Sequence, residues 1–266
     1  MADGTHGAEK TKKRWDTKSK VLLCIGLALL VVAGAIGGYI LWGYLDAQGK
    51  YDDARDKAQI DLSEFDGVFD GLGGLADIHV DWDELRAVNP DVVAWIVVED
   101  TDINYPVVQH GDNDYYLQHS FDGSYSSSGA IFLDCDNAPD LTSDNNIIYG
   151  HNMLDGSMFA QILQFKDQEF LNQNHRVIVV TPTRGYLLAP AFTYICDGAE
   201  TLRQVDFATQ EDLQAYIGEL MDHAVTTSLV DTTKIDKLFS LVTCSYEGND
   251  VRTVLCCVQA DAVSYE

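Results

Sequence analysis

The chain has 266 residues, of which 17 are Lys or Arg and 42 are Asp or Glu, giving a formal net charge of −25 at pH 7. Hydrophobic residues make up 46% of it, which is enough to build a buried core and excludes an acidic disordered chain. The acidity also argues against nucleic acid as a partner, because phosphate binding needs clustered Lys and Arg.

Basic side chains are concentrated at the N-terminus, where residues 1–20 hold six of them against three acidic ones. Residues 21–45 then run without a charged side chain, and about 20 apolar residues in a helix cross a bilayer core. Lys and Arg before this run and acidic residues after it place the N-terminus in the cytoplasm. We predict a cytoplasmic basic tail over 1–20 and a single transmembrane signal anchor over 21–45.

A cleaved signal peptide is the alternative for the apolar run. The apolar region of a signal peptide is usually about 7–15 residues long and precedes a small-residue cleavage site. Here the run is longer and no clear Ala-x-Ala site follows, while Tyr39, Trp42 and Tyr44 lie where an interfacial aromatic belt is expected. These features favour an uncleaved anchor.

A polar segment compatible with a helix covers residues 46–66, and the glycine-rich residues 67–74 are typical of a hinge. We predict that 46–80 forms a linker or helical stalk that holds the folded domain, residues 81–266, away from the membrane. Asp81 is a suitable N-cap for a short helix. This helix should end before Asn89-Pro90, because the residue before proline avoids the α region.

From residue 92 onward the chain consists mainly of short runs rich in β-branched and aromatic residues, which predict strands. The predicted strands are 92–98, 103–109, 129–134, 146–150, 176–181, 185–196, 238–246 and 252–260. Apolar residues at helical spacing predict helices over 157–164 and 208–224. Eight short strands with few helices favour a mainly β fold with one closed or nearly closed barrel.

No GxSxG, HExxH, CxxC or glycine-rich phosphate motif occurs, so no metal or cofactor is expected. Residues 241–252 are predicted to form a strand, a Glu-Gly-Asn-Asp turn and a second strand, which brings Cys244 opposite Arg252. A nearby cation favours the reactive thiolate, and a guanidinium group can stabilise an oxyanion. His151 follows the predicted strand 146–150 at a rim. Together these residues supply a nucleophile, a proton donor and an oxyanion partner for acyl transfer.

The combination resembles the sortase family, and specifically class B sortases. The matching segments occur in the family's order: VNPDVVAWI (88–96), INYPVVQ (103–109), DNDYYL (112–117), GAIFLD (129–134), NNIIYGHNMLDGSMFAQI (145–162), LVTCSYE (241–247) and Arg252. The signal anchor also fits this family. One departure is Ser240, where the family's motif before the cysteine begins with threonine, but serine keeps the hydroxyl group.

The resemblance implies an eight-stranded sortase β-barrel with an N-terminal helical extension and a helix before the catalytic strand. It implies a cysteine transpeptidase in which Cys244 attacks the threonine carbonyl of a C-terminal sorting signal similar to Asn-Pro-x-Thr-Asn/Gly and forms a thioester. His151 would protonate the departing amine, and Arg252 would stabilise the oxyanion. The implied partners are secreted proteins that carry the signal, a peptidoglycan amine that resolves the thioester, and the membrane.

Four further residues match positions that surround the substrate in this family. Asn113 and Leu117 resemble positions in the sorting-signal groove near the proline of the signal. Tyr149 also resembles a groove residue, and Thr243 is placed for the oxyanion hole or for substrate contact. For Leu117 and Tyr149 the alternative is a place in the barrel core.

Other functions stay open at this point. A membrane-anchored cysteine peptidase would release its product to water, and a class B pilus-assembling sortase would use a lysine of another subunit. The chain has no Asp-Pro pair of the kind found in pilus sortase lids, which favours wall anchoring. A non-enzymatic surface binding module would require the Cys–His–Arg combination to be accidental. The predicted location is the cell membrane, crossed once, with the catalytic domain outside facing the wall.

Cys135 and Cys196 are either buried thiols or a disulfide.

Overall fold

The computed structural model describes residues 16–69, 73–173, 175–198, 203–245 and 251–265, with the backbone alone for Leu62, Lys234, Cys244 and Ser245. Most of the predicted basic tail and the predicted turn at 247–250 therefore lie outside the described residues. The chain divides into two compact units, one ending at Gly43 and the other beginning at Tyr44.

The first helix, α1, runs from Thr17 to Lys57. Its apolar part is exposed, and the mean hydropathy of an 18-residue window reaches 2.6. By length and composition this helix is able to cross a membrane, in agreement with the charge-free run in the sequence.

Described residues of the segment 44–80 pack against the barrel, within the span 46–80 for which the sequence predicts a linker or helical stalk. Ala47, Tyr51 and Ala54 of α1 are buried, and so is Phe65 of α2, which spans Leu62–Phe69. Leu75, at the start of a 3-10 helix over Leu75–Asp77, is buried too. The three α1 positions recur at helical spacing and form one small apolar stripe within a polar sequence. That stripe, rather than the overall polarity, decides where the segment packs.

The helix predicted after residue 80 is confirmed as α3, over Trp82–Val88. The Asp81 side chain accepts a hydrogen bond from the Glu84 backbone N–H at 3.1 Å and caps its first turn. The helix ends at Asn89, which has extended backbone, as expected before a proline.

Among the residues that the structure describes, nine strands form one sheet, and eight of them close into a barrel. They are β1 (Val92–Val98), β2 (Asn104–Val108), β3 (Ile131–Leu133), β4 (Asn145–Tyr149), β5 (Val177–Val180), β6 (Arg184–Asp197), β7 (Ala224–Thr227), β8 (Leu238–Ser245) and β9 (Val251–Ser264). Their order is β5-β1-β2-β3-β4-β8-β9-β6-β7, and β5 also pairs with β6. The long strand β6 therefore closes the barrel with its first half and carries β7 on its second half. The predicted eight-stranded barrel is confirmed.

The two helices predicted inside the barrel sequence had different outcomes. The segment 208–224 forms α5 (Gln210–Asp222), capped by the Thr209 hydroxyl, which accepts from Asp212 N–H. The segment 157–164 forms a 3-10 helix shifted to Ala160–Lys166. Met158 has a positive φ of 57° and forms an isolated bridge with Asn152, so an α-helix does not start there. A four-residue helix, α4 (Gln168–Leu171), follows it, and 3-10 turns also cover Tyr115–Leu117 and Thr232–Lys234.

Two apolar clusters hold these layers together. The larger fills the barrel and includes Trp95, Ile96 and Phe239 together with the buried residues of 51–80. The smaller lies between α5 and the sheet, with Leu220 of α5 packed in one cluster with Phe192. Strands β6, β8 and β9 contribute side chains to both clusters. A slip by one residue would exchange the side chains that fill the two clusters, and this fixes the register of these strands.

Candidate active site

Strand pairing brings the backbones of the three predicted catalytic residues to one end of the barrel. Strands β4 and β8 run parallel, with Tyr149 opposite Val242. Just beyond this pair, the Gly150 N–H still donates to the Val242 carbonyl at 3.0 Å. His151 lies two residues after Tyr149 and Cys244 lies two residues after Val242, so both positions follow the end of this pairing. Strands β8 and β9 run antiparallel, with Cys244 opposite Arg252. We call this end of the barrel the rim.

Arg252 lies in the middle of three neighbouring strands at the rim. It pairs with Cys244 on one side and with Cys196 of β6 on the other. Its side chain is partly exposed, so the guanidinium group at this position is within reach of solvent. Cys135 and Cys196 are not joined by a disulfide, which excludes the pairing that the sequence left open.

The imidazole of His151 is oriented by a backbone carbonyl. Its Nε2 lies 2.7 Å from the carbonyl oxygen of Leu117. Because a carbonyl only accepts, Nε2 carries a proton in this arrangement. This contact fixes which of the two ring nitrogens faces the backbone.

Gly129 lies directly against the same ring. Its φ is +60°, and a Cβ built there would lie 3.0 Å from His151 Cδ2 and 2.6 Å from the carbonyl oxygen of Tyr116. A glycine is needed at this position both for the left-handed backbone and for the close approach. The backbone at 117 and 129 therefore confines the imidazole to one plane.

Hydrogen bonds from neighbouring elements hold the backbone around Leu117 and Gly129 in place. The Tyr116 hydroxyl donates to Asp91 Oδ2 at 2.8 Å and accepts from Asn89 Nδ2 at 2.7 Å. The Tyr51 hydroxyl of α1 donates to the Gly129 carbonyl at 2.9 Å. Residues from α1 and from the turn before β1 thus hold the backbone that orients the imidazole.

A groove of about 110 Å³ lies beside Arg252 on the face of the sheet that carries Val242. It combines aliphatic, aromatic and guanidinium groups, a composition suited to an extended peptide. The lining side chains include Ile147, Tyr149, Tyr194, Cys196, Val242, Val254, Arg203 and Arg252. Tyr149 is half-buried and lines this groove.

Asn113 and Tyr149 meet at a buried carboxylate, Asp134. The Tyr149 hydroxyl donates to Asp134 Oδ2 at 2.8 Å, and Asn113 Nδ2 donates to the same oxygen at 3.0 Å. Arg203 Nε and Nη2 donate to Asp134 Oδ2 and Oδ1 at 2.6 and 2.9 Å. The sequence analysis missed Asp134 and Arg203, because their interaction joins residues that are 69 positions apart.

The electrostatics of this cluster favour a charged Asp134. Burial on its own raises the pKa of the carboxyl group, but hydrogen bonds from Arg203, the Asp136 N–H and Tyr149 outweigh it and hold the pKa below its usual value. Burial, together with the charge of Asp134, raises the pKa of the Tyr149 phenol well above its usual value. Tyr149 therefore stays a hydrogen-bond donor at any physiological pH.

The other two predicted substrate residues differ in exposure. Leu117 is 38% exposed, so its side chain is not part of the barrel core, and its carbonyl is the group that holds His151. Thr243 is buried, and its backbone pairs with that of Thr253. Among the described residues, neither hydroxyl has a hydrogen-bond partner. The burial places the Thr243 hydroxyl away from the groove.

One cluster has the atoms of a metal site but not its electrostatics. Asp134, Cys135 and Asp136 offer ligand atoms within 4.8 Å of one another. The guanidinium of Arg203 already binds both carboxylates, so a cation would have to displace it. The donor set fits an ion pair better than a metal ion.

Known proteins share this architecture. No family model matches the chain. Sortase B of Listeria monocytogenes is 28% identical over 232 residues, which is 86% of this chain and 93% of that protein. The crystal structure of sortase B from Clostridium perfringens is 33% identical with a TM-score of 0.62, covering 67% of this chain and 99% of that one. Sortase B of Bacillus anthracis is 25% identical with a TM-score of 0.69, covering 82% of this chain and 98% of that one.

These similarities agree with the features already described. The barrel closes in the predicted way, and the segments that carry the family resemblance form its strands and its rim. The match to the Clostridium perfringens enzyme covers nearly the whole of that chain. The chain belongs to the sortase B family and is a sortase-type cysteine transpeptidase.

Proposed function

We propose that this enzyme cleaves a C-terminal sorting signal similar to Asn-Pro-x-Thr-Asn/Gly after its threonine and joins the new carboxyl group to a peptidoglycan amine. The observation that carries the proposal is the strand register that brings the backbones of His151, Cys244 and Arg252 to one rim beside a groove. Acyl transfer needs a nucleophile, a proton carrier and an oxyanion partner at one place.

The reaction divides into two acyl transfers at Cys244. The thiolate attacks the threonine carbonyl, and the guanidinium of Arg252 stabilises the oxyanion. The C–N bond breaks, the departing amine takes a proton from His151, and a thioester remains. An incoming amine loses a proton to His151 and attacks the thioester, which forms a new amide bond and restores the thiolate.

The hydrogen bond to Leu117 assigns the two nitrogens of His151 different tasks. Nε2 donates to the carbonyl and stays protonated throughout, while Nδ1 gives and takes the transferred proton. This carbonyl does the orienting work that a carboxylate does in many catalytic triads.

The groove beside Arg252 is the proposed binding site for the sorting signal. Tyr149 presents its ring there, since its hydroxyl is occupied by Asp134. Asn113 belongs to the same Asp134 cluster as Tyr149, and we assign its side-chain amide to the backbone of the signal. Leu117 has an exposed side chain, and its carbonyl lies against His151, so we assign the side chain to contact with the signal near its proline. Thr243 contributes through its backbone, next to the nucleophile.

The pH dependence of the reaction follows from the two proton-transfer groups. An unperturbed thiol has a pKa of about 8.5 and an unperturbed imidazole one of about 6.5. A thiolate together with an imidazolium is then a minority form at neutral pH. We expect a bell-shaped profile of kcat/KM between pH 6 and 9, and a flat profile would contradict the pairing of Cys244 with His151.

The proposed location rests on the N-terminal half of α1 and on its flanking charges. Sortases are cell-surface enzymes, and the apolar part of α1 is long enough to anchor this one in the membrane. The basic residues of 1–20 favour a cytoplasmic N-terminus, which leaves the domain that contains the rim outside, facing the wall.

The test uses the full chain in detergent micelles with a panel of sorting peptides, read by mass spectrometry. We expect cleavage after threonine, and a ligated product when a diaminopimelate-containing or oligoglycine amine is added. Cys244→Ala should abolish cleavage, whereas Cys24→Ala, a change in the apolar part of α1, should leave it intact. Absence of cleavage by the wild-type chain would refute the proposal.

The same experiment separates the two alternative enzymes. Hydrolysis without any ligated product, at saturating amine, would identify a cysteine peptidase that releases its product to water. Ligation to a lysine of another protein subunit, without ligation to a peptidoglycan amine, would identify a pilus-assembling sortase.

A further inference from the structure

The carboxylate of Asp134 joins four separate parts of the chain. It accepts from Asn113 after β2, from Tyr149 at the end of β4, from the N–H of Asp136 in its own loop, and from Arg203 after β6. No part of its side chain is exposed. A buried carboxylate is costly unless it is fully hydrogen-bonded, and here five N–H and O–H groups are directed at it.

Arg203 begins a segment that is fastened along the start of β4. The Gln204 carbonyl accepts from Asn145 Nδ2, and the Val205 carbonyl accepts from Asn145 N–H, both at 2.9 Å. The Phe207 N–H donates to Asp144 Oδ2, also at 2.9 Å. The segment 203–207 is thus held at β4 by residues 204–207 and at Asp134 by Arg203.

Arg203 and Tyr149 both line the groove beside Arg252, and both bind Asp134. The distance between these two sides of the groove is therefore set through one carboxylate. An arginine suits this task because its planar fork makes two parallel hydrogen bonds to a carboxylate, which fixes direction as well as distance.

We propose that Asp134 and Arg203 form a positioning pair that holds the segment 203–207 against Tyr149 and so fixes the width of the groove for the sorting signal. The inference rests on the proposed function, because it assigns the groove to that signal. Arg203 acts through Tyr149 and the groove wall and is a positioning residue rather than a catalytic one.

Removing the pair should weaken binding of the signal more than it slows the chemistry. Arg203→Met keeps the length of the side chain but loses the charge and the fork, and Asp134→Asn removes the charge on the other side. We expect each change to raise KM for the sorting peptide about tenfold with kcat within about twofold, since a loosened groove loses pre-organisation for its ligand. Arg203→Lys should restore part of the affinity, because lysine keeps the charge but not the bidentate geometry.

Two further measurements distinguish positioning from general damage. Arg86→Met, at an exposed position in the last turn of α3, is the matched control and should leave KM unchanged. The rate at which a small methanethiosulfonate reagent labels Cys244, read by peptide mapping, should stay within twofold in every variant, because such a reagent does not need the groove. The double variant of Asp134 and Arg203 should raise KM no further than either single variant does.

The outcomes are separable from those of the proposed function. If the wild-type chain cleaves sorting peptides and both single variants keep the wild-type KM, the positioning pair is refuted while the proposed function stands. A parallel loss of kcat and Cys244 labelling would also refute it, since that result indicates a structural role alone. If the wild-type chain cleaves no sorting peptide, the proposed function fails and the inference fails with it.

Discussion

Gly129→Ala adds one methyl group where the backbone lies against the ring of His151. The new Cβ would be 2.6 Å from the Tyr116 carbonyl oxygen, 3.0 Å from the Leu117 carbonyl oxygen and 3.0 Å from His151 Cδ2. The distance to the Tyr116 oxygen is far below van der Waals contact. This oxygen belongs to the backbone of a 3-10 turn and not to the end of a flexible side chain, so it cannot easily move away. The substitution therefore forces the backbone or the ring to move.

The structure contains a matched control in Gly156. Gly156 also has a positive φ, of 83°, but a Cβ added there meets no atom within 4 Å. A left-handed conformation costs a non-glycine residue about 1–2 kcal/mol, and overpacking typically costs about 1–3 kcal/mol. We expect Gly156→Ala to lower the free energy of unfolding by the first amount alone, and Gly129→Ala by about 2–5 kcal/mol as the two costs combine.

The assay is urea unfolding of the full chain in detergent micelles, followed by tryptophan fluorescence, together with kcat for a sorting peptide. Displacement of the imidazole should lower kcat at least about tenfold in Gly129→Ala, because small misplacements of a catalytic group are costly. Gly156→Ala should keep kcat within about twofold of wild type. Equal stabilities and equal kcat values for the two variants would show that Gly129 does not hold the ring, and the reasoning would be wrong.

Three other changes test the supporting structure. Tyr51→Phe should lower the free energy of unfolding by about 1–3 kcal/mol in urea unfolding, because the buried carbonyl of Gly129 loses its donor; an unchanged value would refute this role. Asp81→Ala should cost about 1 kcal/mol in the same assay through loss of the cap on Glu84 N–H, and Asp81→Asn should cost less. The depressed pKa of Asp134 means that its charge stabilises the fold above the unfolded pKa of about 3.9 and that this contribution is lost as pH falls through the folded pKa. Asp134→Asn should thus reduce the loss of stability on acidification below about pH 4 in the same assay, and an identical pH dependence in the two proteins would contradict it.

Local patterns in the sequence were sufficient to predict most of the secondary structure of this protein. Each of the eight predicted strands corresponds to an observed strand, because β-branched runs with turn residues at their ends need no distant partner to be recognised. The ends of α3 follow from a cap and a proline that are its immediate neighbours. The apolar part of α1 follows from composition alone. The candidate catalytic residues were proposed from the family resemblance, which rests on short consecutive segments of the sequence.

Local patterns could not predict strand β7 or the packing of the segment 44–80. β7 has only four residues, and half of them are exposed, so its sequence gives a weak strand signal. It forms a strand because the second half of β6 extends beyond its pairing with β5 and offers β7 a free edge. The segment 44–80 is polar on average, and only the presence of the barrel turns its scattered apolar residues, among them Tyr51, Phe65 and Leu75, into a contact surface.

The chemistry of the rim also depends on contacts between distant parts of the chain. The carbonyl that holds His151 is 34 residues away from it, and Arg203 is 69 residues away from Asp134. The register of β8 places Thr243 on the buried face of the sheet. The residue before it, Val242, and Arg252 on the neighbouring strand both line the groove on the other face. Sequence alone therefore predicted most of the strands and helices and supplied the candidates for the residues that carry the chemistry. Only the closed barrel decided how those residues are held, since hydrogen bonds and burial depend on distance in space and not on distance along the chain.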